Sequence, residues 1–240
     1  MVHSLLIVVG LLLMFTKEMG KYIIEDCAKH GRQYGNVVEH VLPKKYRWPN
    51  ATIPYIFDGD FEDIQLSNIR GAMALLTTRT CLQFKERTSE NHYLFITNKL
   101  ETGCWADTGR QPRGPTYMNL PQQCTHRSGT ILHELLHVIG FLHQHTRPDR
   151  DHYLCVLYDN ILAHPVALYN YEIVHPWTEL TFPLPYDFES IMHYTPDMYS
   201  VAPGRLPTMV TRHPWGMNTI GQRDRLTDHD VLAIQFLYCV

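Results

Sequence analysis

Residues 133 to 143 read His133-Glu134-Leu135-Leu136-His137-Val138-Ile139-Gly140-Phe141-Leu142-His143. On an α-helix, side chains four residues apart share a face, so the imidazoles of His133 and His137 stand one above the other. Gly140 can adopt the left-handed conformation that ends a helix and turns the chain. That turn lets His143 swing back as a third ligand. Three neutral nitrogens around a zinc ion leave its fourth position open, which is the plan of a catalytic site and not of a structural one. Glu134 sits beside the first ligand, placed to act on a water activated by the metal. The pattern predicts one Zn2+ per chain and hydrolytic chemistry.

A His-Glu-x-x-His string alone also occurs on ordinary polar helix faces. The added glycine and third histidine follow the metzincin spacing, and a second segment supports it. Residues Ser190-Ile191-Met192-His193-Tyr194 bring an apolar approach to a methionine followed by His-Tyr, resembling the methionine turn that floors a metzincin zinc site.

The stretch from His133 to His143 and on through Arg147-Pro148-Asp149-Arg150, with Ser190 to Tyr194 later, resembles the astacin family of secreted zinc endopeptidases. The likeness runs from about Trp48 to Cys239. It takes in Trp48-Pro49, Ile53-Pro54-Tyr55, Cys81, Phe84, Arg87, Gly103-Cys104-Trp105, Gly109-Arg110 and Cys124. Near the end it adds Tyr186-Asp187, Gly221-Gln222, Leu226-Thr227 and Asp230. The resemblance implies an α+β, metzincin-like fold of two lobes with the active-site cleft between them. It implies His133, His137 and His143 as zinc ligands, Glu134 as general base, and Tyr194 as a residue that can ligate zinc and swing away to hydrogen-bond the transition state. It further implies disulfides Cys81–Cys239 and Cys104–Cys124, and some preference for acidic residues after the cut, which neither Arg205 nor Arg212 can be assigned to serve. Arg147, Asp149, Arg150, Asp151, Asp187 and Asp230 read better as structural ion pairs and turn caps.

One residue departs from the family pattern. Astacins usually carry Glu directly after the third histidine, where it meets the N-terminal ammonium freed on activation. Gln144 stands there and cannot form that ion pair. The family's latency string, Phe-x-Gly-Asp, has its sole match at Phe57-Asp58-Gly59-Asp60, inside the domain and out of place. For latency, Asp26 is favoured, the Cys27 thiolate is a second candidate, and a Cys27–Cys155 disulfide is a third reading.

The elements that must position these residues are partly legible. Ile53 to Phe57 and Tyr93 to Thr97 read as strands, Ser67 to Thr80 as an amphipathic helix, and Gly129 to Gly140 as the zinc helix. Thr116 to Leu120 is expected to be an edge strand to which an extended substrate adds its backbone. Asp228 to Leu237 reads as a closing helix.

The chain of 240 residues, 45% hydrophobic and 19% charged, suits one sizeable domain. A net charge of −3 argues against a general nucleic-acid or anionic-membrane binder. The apolar run Leu5 to Phe15 falls short of the ~20 residues needed to span a bilayer and reads as a signal-peptide core. We therefore expect a signal peptide over residues 1–20, a pro-segment over 21–38 and a catalytic domain over 39–240, secreted and extracellular. Six cysteines suit that oxidising route. No membrane anchor is expected, nor a further binding domain beyond Cys239, and the partners are protein or peptide substrates. A decoy that keeps the fold without turnover, or a histidine-rich metal store, would not need Glu134 in its place beside the ligands. Dependence of activity on Glu134 separates these readings.

Overall fold

The computed structural model describes residues 43–173 and 184–239. The expectations for the signal peptide, the pro-segment, Asp26 and Cys27 lie outside the described residues.

The sheet of the N-terminal half has five strands: β1 (Thr52–Asp58), β2 (Gln83–Glu86), β3 (Leu94–Thr97), β4 (Trp105–Ala106) and β5 (Thr116–Asn119), in spatial order β2-β1-β3-β5-β4. All neighbours run parallel except β4, which is antiparallel to β5. The expectation for Thr116 to Leu120 therefore needs correcting. β5 is flanked by β3 and β4 and buries Met118 completely, whereas on that side the edge among the described residues is the two-residue strand β4. A stretch inside a loop rich in Gly and Pro carries too little periodicity to announce itself as a strand.

Helix α1 (Asp63–Arg79) begins earlier than Ser67 because Glu62 and Gln65 close a reciprocal capping box. Its buried residues Gln65, Ile69, Ala72, Met73 and Leu76 follow the helical repeat and face the sheet core. After the short α2 (Gln122–Thr125), the zinc-motif helix α3 (Ser128–Val138) is buried on nearly every side, as expected of a central helix with apolar residues all round. At its N-terminal turn, a Cβ added to Gly129 would lie 2.0 Å from the Arg223 carbonyl oxygen, so only glycine lets those backbones meet.

The larger apolar core joins Ile53, Ile69, Leu76, Leu94, Ile96, Leu135 and Ile131 to Ile191, Met192 and Ile234. A second core, around Leu154, Val156, Tyr171, Tyr186, Met209 and Ile220, supports the C-terminal part. It rests on a small antiparallel pair, β6 (Leu154–Val156) and β7 (Met209–Thr211), and on the short α4 (Pro165–Tyr169). Helix α5 (Asp228–Tyr238) closes the chain and packs on the first core. This is a mixed α/β architecture whose described residues form two apolar cores.

Cys81–Cys239 and Cys104–Cys124 are bonded, matching the pairing that the resemblance implies. Cys155 is also disulfide-bonded. Among the described residues no helix is long and apolar enough to cross a membrane.

Candidate active site

Helix α3 stops because Gly140 takes a φ of 103°. Phe141 N–H donates to the Leu136 carbonyl at 3.0 Å and Gly140 N–H to that of His137 at 2.8 Å, closing off the last turn of the helix. Donors from remote segments also reach the carbonyls at the helix exit. Gly109 N–H donates to His137 O at 2.8 Å, Trp48 Nε1 to Val138 O at 2.8 Å, and the Tyr238 hydroxyl to Ile139 O at 2.8 Å. Unmet carbonyls in an apolar interior would each cost about 1–3 kcal/mol, so these contacts fix where the chain leaves the helix and hence where His143 arrives.

His133, His137 and His143 converge, with one nitrogen from each lying within 4.8 Å of the others. The Nδ1 atoms of the first two are engaged by carbonyls: His133 with Ile191 O at 2.7 Å and His137 with Phe141 O at 2.9 Å. Each Nδ1 therefore carries the proton, and Nε2 is left as a lone-pair donor. His137 Nε2 lies 3.1 Å from His143 Nε2. Burial holds the His133 and His143 rings well below the usual imidazole range and lowers His137 to about 4. Three neutral imidazoles aimed at one point are the donor set that zinc prefers.

Glu134, next along the helix, is buried, and burial raises its carboxyl to about 7, with the positive charge of Arg223 opposing the shift. Arg223 is a site residue that sequence reasoning misses. Its Nη1 donates to His193 O at 3.0 Å and Gln222 O at 2.9 Å, and its charge acts on all three histidines. The signal available was its place directly after Gly221-Gln222. Arg212, by contrast, spends its Nε on Asp151 O at 2.7 Å.

Met192 is buried and its carbonyl accepts from Gln144 N–H at 3.0 Å. Gln144 itself is buried. Tyr194 is buried beside the cluster, its ring centroid 4.2 Å from that of His143 and stacked at 4.2 Å on His145. Its hydroxyl donates to Asn170 Oδ1 at 3.3 Å, a partner that no local sequence pattern indicates. Burial pushes its phenol well above the ordinary tyrosine value. The structure thus brings together all five sequence-predicted site residues. The acidic residues set aside as structural have structural partners: Asp149 grips buried Arg147 through two bonds at 2.9 and 2.8 Å, and Asp187 accepts from Thr227 Oγ1 at 2.6 Å.

The model of the astacin peptidase family matches residues 40–239. This chain belongs to the astacin family. High choriolytic enzyme 1 from Oryzias latipes is 36% identical over 188 residues, covering 78% of this chain and 66% of that protein. Its solved structure, described as a hatching enzyme zinc-protease, superposes with a TM-score of 0.71 at 34% identity, covering 80% of this chain and 92% of that one. Bone morphogenetic protein 1 from Xenopus laevis is 37% identical over 193 residues, 80% of this chain and 27% of that protein. The chain thus spans about a quarter of that relative, and about a fifth of mouse tolloid-like protein 1, 35% identical over 192 residues (80% of this chain, 19% of that protein). Myroilysin, at 18% identity and a TM-score of 0.54 over 87% of this chain and 93% of its own, shares the fold. The family's zinc-dependent peptidase chemistry accounts for the histidine cluster.

Proposed function

We propose that this astacin-family chain is a secreted zinc endopeptidase that hydrolyses peptide bonds in proteins, with one zinc ion held by His133, His137 and His143. The observation that carries this reading is the convergence of three neutral imidazoles beside a buried glutamate. Zinc, when bound at such a site, acidifies a water and polarises the scissile carbonyl.

The remaining work falls to the chain's own groups. Glu134, with its carboxyl near 7, accepts the proton of the attacking water and passes it to the departing amine at neutral pH. Tyr194 keeps its proton because burial disfavours the phenolate, so it acts as a hydrogen-bond donor to the developing oxyanion. That role requires its hydroxyl to leave Asn170. An extended substrate adds its backbone to the free edge of β4, at Trp105–Ala106, which pairs with β5 on the other side. Arg223 supplies the positive charge beside Glu134 and is the residue we assign to the expected acidic preference after the cut.

The disulfides fit an oxidising, extracellular destination. The test is cleavage of casein and peptides by the trypsin-trimmed chain, with and without chelator, beside Glu134→Gln. Activity that falls with chelator and drops about 100-fold or more in the variant supports the reading. Zinc-loaded, folded wild type without cleavage refutes it and favours a binding role.

A further inference from the structure

Asp230 is a buried acid that the mechanism does not use. Asp230 sits in the first turn of α5 and accepts three hydrogen bonds: from Ser190 Oγ at 2.6 Å, from Ile191 N–H at 3.1 Å and from Thr227 N–H at 3.0 Å. Its own N–H donates to Thr227 Oγ1 at 3.0 Å, completing the capping box of the helix. Two of the three donors to the carboxylate thus belong to the methionine turn, about 40 residues upstream, as the separations of 40 and 39 positions show. Capping alone would need neither.

Ile191 is the pivot. Its N–H is held by Asp230 at 3.1 Å, and its carbonyl accepts the Nδ1 proton of His133 at 2.7 Å. Ser190 Oγ, which donates to Asp230, also accepts from Met192 N–H at 3.1 Å. Ser190, Ile191 and Met192 are each 3% exposed or less, so no solvent competes for these bonds. A carboxylate is the side chain that suits this position. Three donors converge on two oxygens, and an amide would offer one oxygen and turn its own N–H groups on the other donors.

We propose that Asp230 is a positioning residue for the metal centre: by fixing the Ile191 peptide, it sets the tautomer and direction of the His133 ring. This rests on the reading of His133 as a zinc ligand. Groups that orient ligating histidines from behind influence metal affinity by about 10- to 100-fold. Asp230 acts one peptide further back, so the lower end applies.

The experiment is chelator competition for zinc on the full chain, comparing wild type with Asp230→Asn, Ser190→Ala, Asp228→Asn and His133→Ala, alongside ring-nitrogen NMR of metal-free protein. Asp228 lies in the same helical turn, exposed, and pairs with Arg79 at 2.9 Å, so it controls for charge at the helix start. We expect Asp230→Asn to weaken zinc about 10-fold, Asp228→Asn to leave it unchanged, and the Nδ1-protonated form of His133 to lose its dominance in Asp230→Asn. Wild-type zinc affinity in Asp230→Asn, with only a lowered melting point, overturns the proposal and leaves Asp230 a helix cap. If that variant does not fold, Ser190→Ala decides: weaker zinc binding supports the proposal and unchanged binding overturns it. Zinc binding by wild type that survives His133→Ala undamaged overturns the ligand reading itself, a result distinct from either.

Discussion

Two glycine-to-alanine substitutions, in α1 and α3, should move stability in opposite directions. At Gly71, in the middle of α1, an added Cβ has nothing within 4 Å. Alanine there gains helix propensity and restricts the unfolded chain, so it should stabilise by about 0.5–1 kcal/mol. At Gly129 the same atom would lie 2.0 Å from Arg223 O, 2.3 Å from its carbonyl carbon and 2.8 Å from its Cα. Contacts below 3.0 Å are not tolerated, so α3 and the Arg223 backbone must separate by about 1 Å, the shortfall of the closest contact. These are main-chain atoms that no rotamer change can move aside. Overpacking of this kind costs about 1–3 kcal/mol, which outweighs the propensity gain of up to about 1 kcal/mol. A net loss of about 1–2 kcal/mol should lower the melting temperature of a domain of this size by about 2–8 °C. The functional effect should be larger than the stability effect. Arg223 carries its charge next to Glu134 and α3 carries two of the histidines, and a displacement of about 1 Å in such a site can cost about 100-fold. Scanning calorimetry and kcat/KM on both variants make the check. A Gly129→Ala protein that melts at or above wild type and turns over normally would mean that this backbone contact plays no part in placing the site.

Asp149→Asn should be costly, because Arg147 is 1% exposed at its side chain and loses an ionised partner. The carbonyls of Leu184 and Pro185 still accept from the guanidinium, so the loss should sit near about 3 kcal/mol by urea denaturation. Glu90 shows the opposite electrostatic case: hydrogen bonding from Lys85, then from Thr88 N–H, lowers its carboxyl to about 2. A depressed carboxylate adds stability that is fully present above the unfolded value of 4.5 and fades as pH falls towards 2. The melting temperatures of wild type and Glu90→Gln should therefore differ by a small constant amount above about pH 5 and converge in acid; a gap that widens on acidification would contradict this assignment.

The chemistry and its local carriers are legible along the chain. Two histidines at helical spacing, a glutamate between them and a glycine where the helix must turn are short-range facts, and α3 ends just before Gly140 for the reason the sequence offers. The ends of β1, β3 and α5 were also close to legible, since their apolar patterns repeat locally. The start of α1 lies ahead of Ser67, at Asp63, because Glu62 forms half of a capping box whose sequence signal is weak. Strand order lay beyond reach. Nothing in Thr116 to Asn119 says that Trp105–Ala106 will pair outside it, because a strand's neighbours are chosen by the packing of distant segments. The same holds for the surroundings of the site. Asn170 meets Tyr194 across 24 positions, Asp230 meets Ile191 across 39, and Arg223 acts through space on Glu134. Ligand identity follows from covalent spacing along one helix, which a sequence displays. The protonation, tautomer and orientation of those ligands follow from burial and from fields and hydrogen bonds between remote segments, and these exist only once the chain has folded.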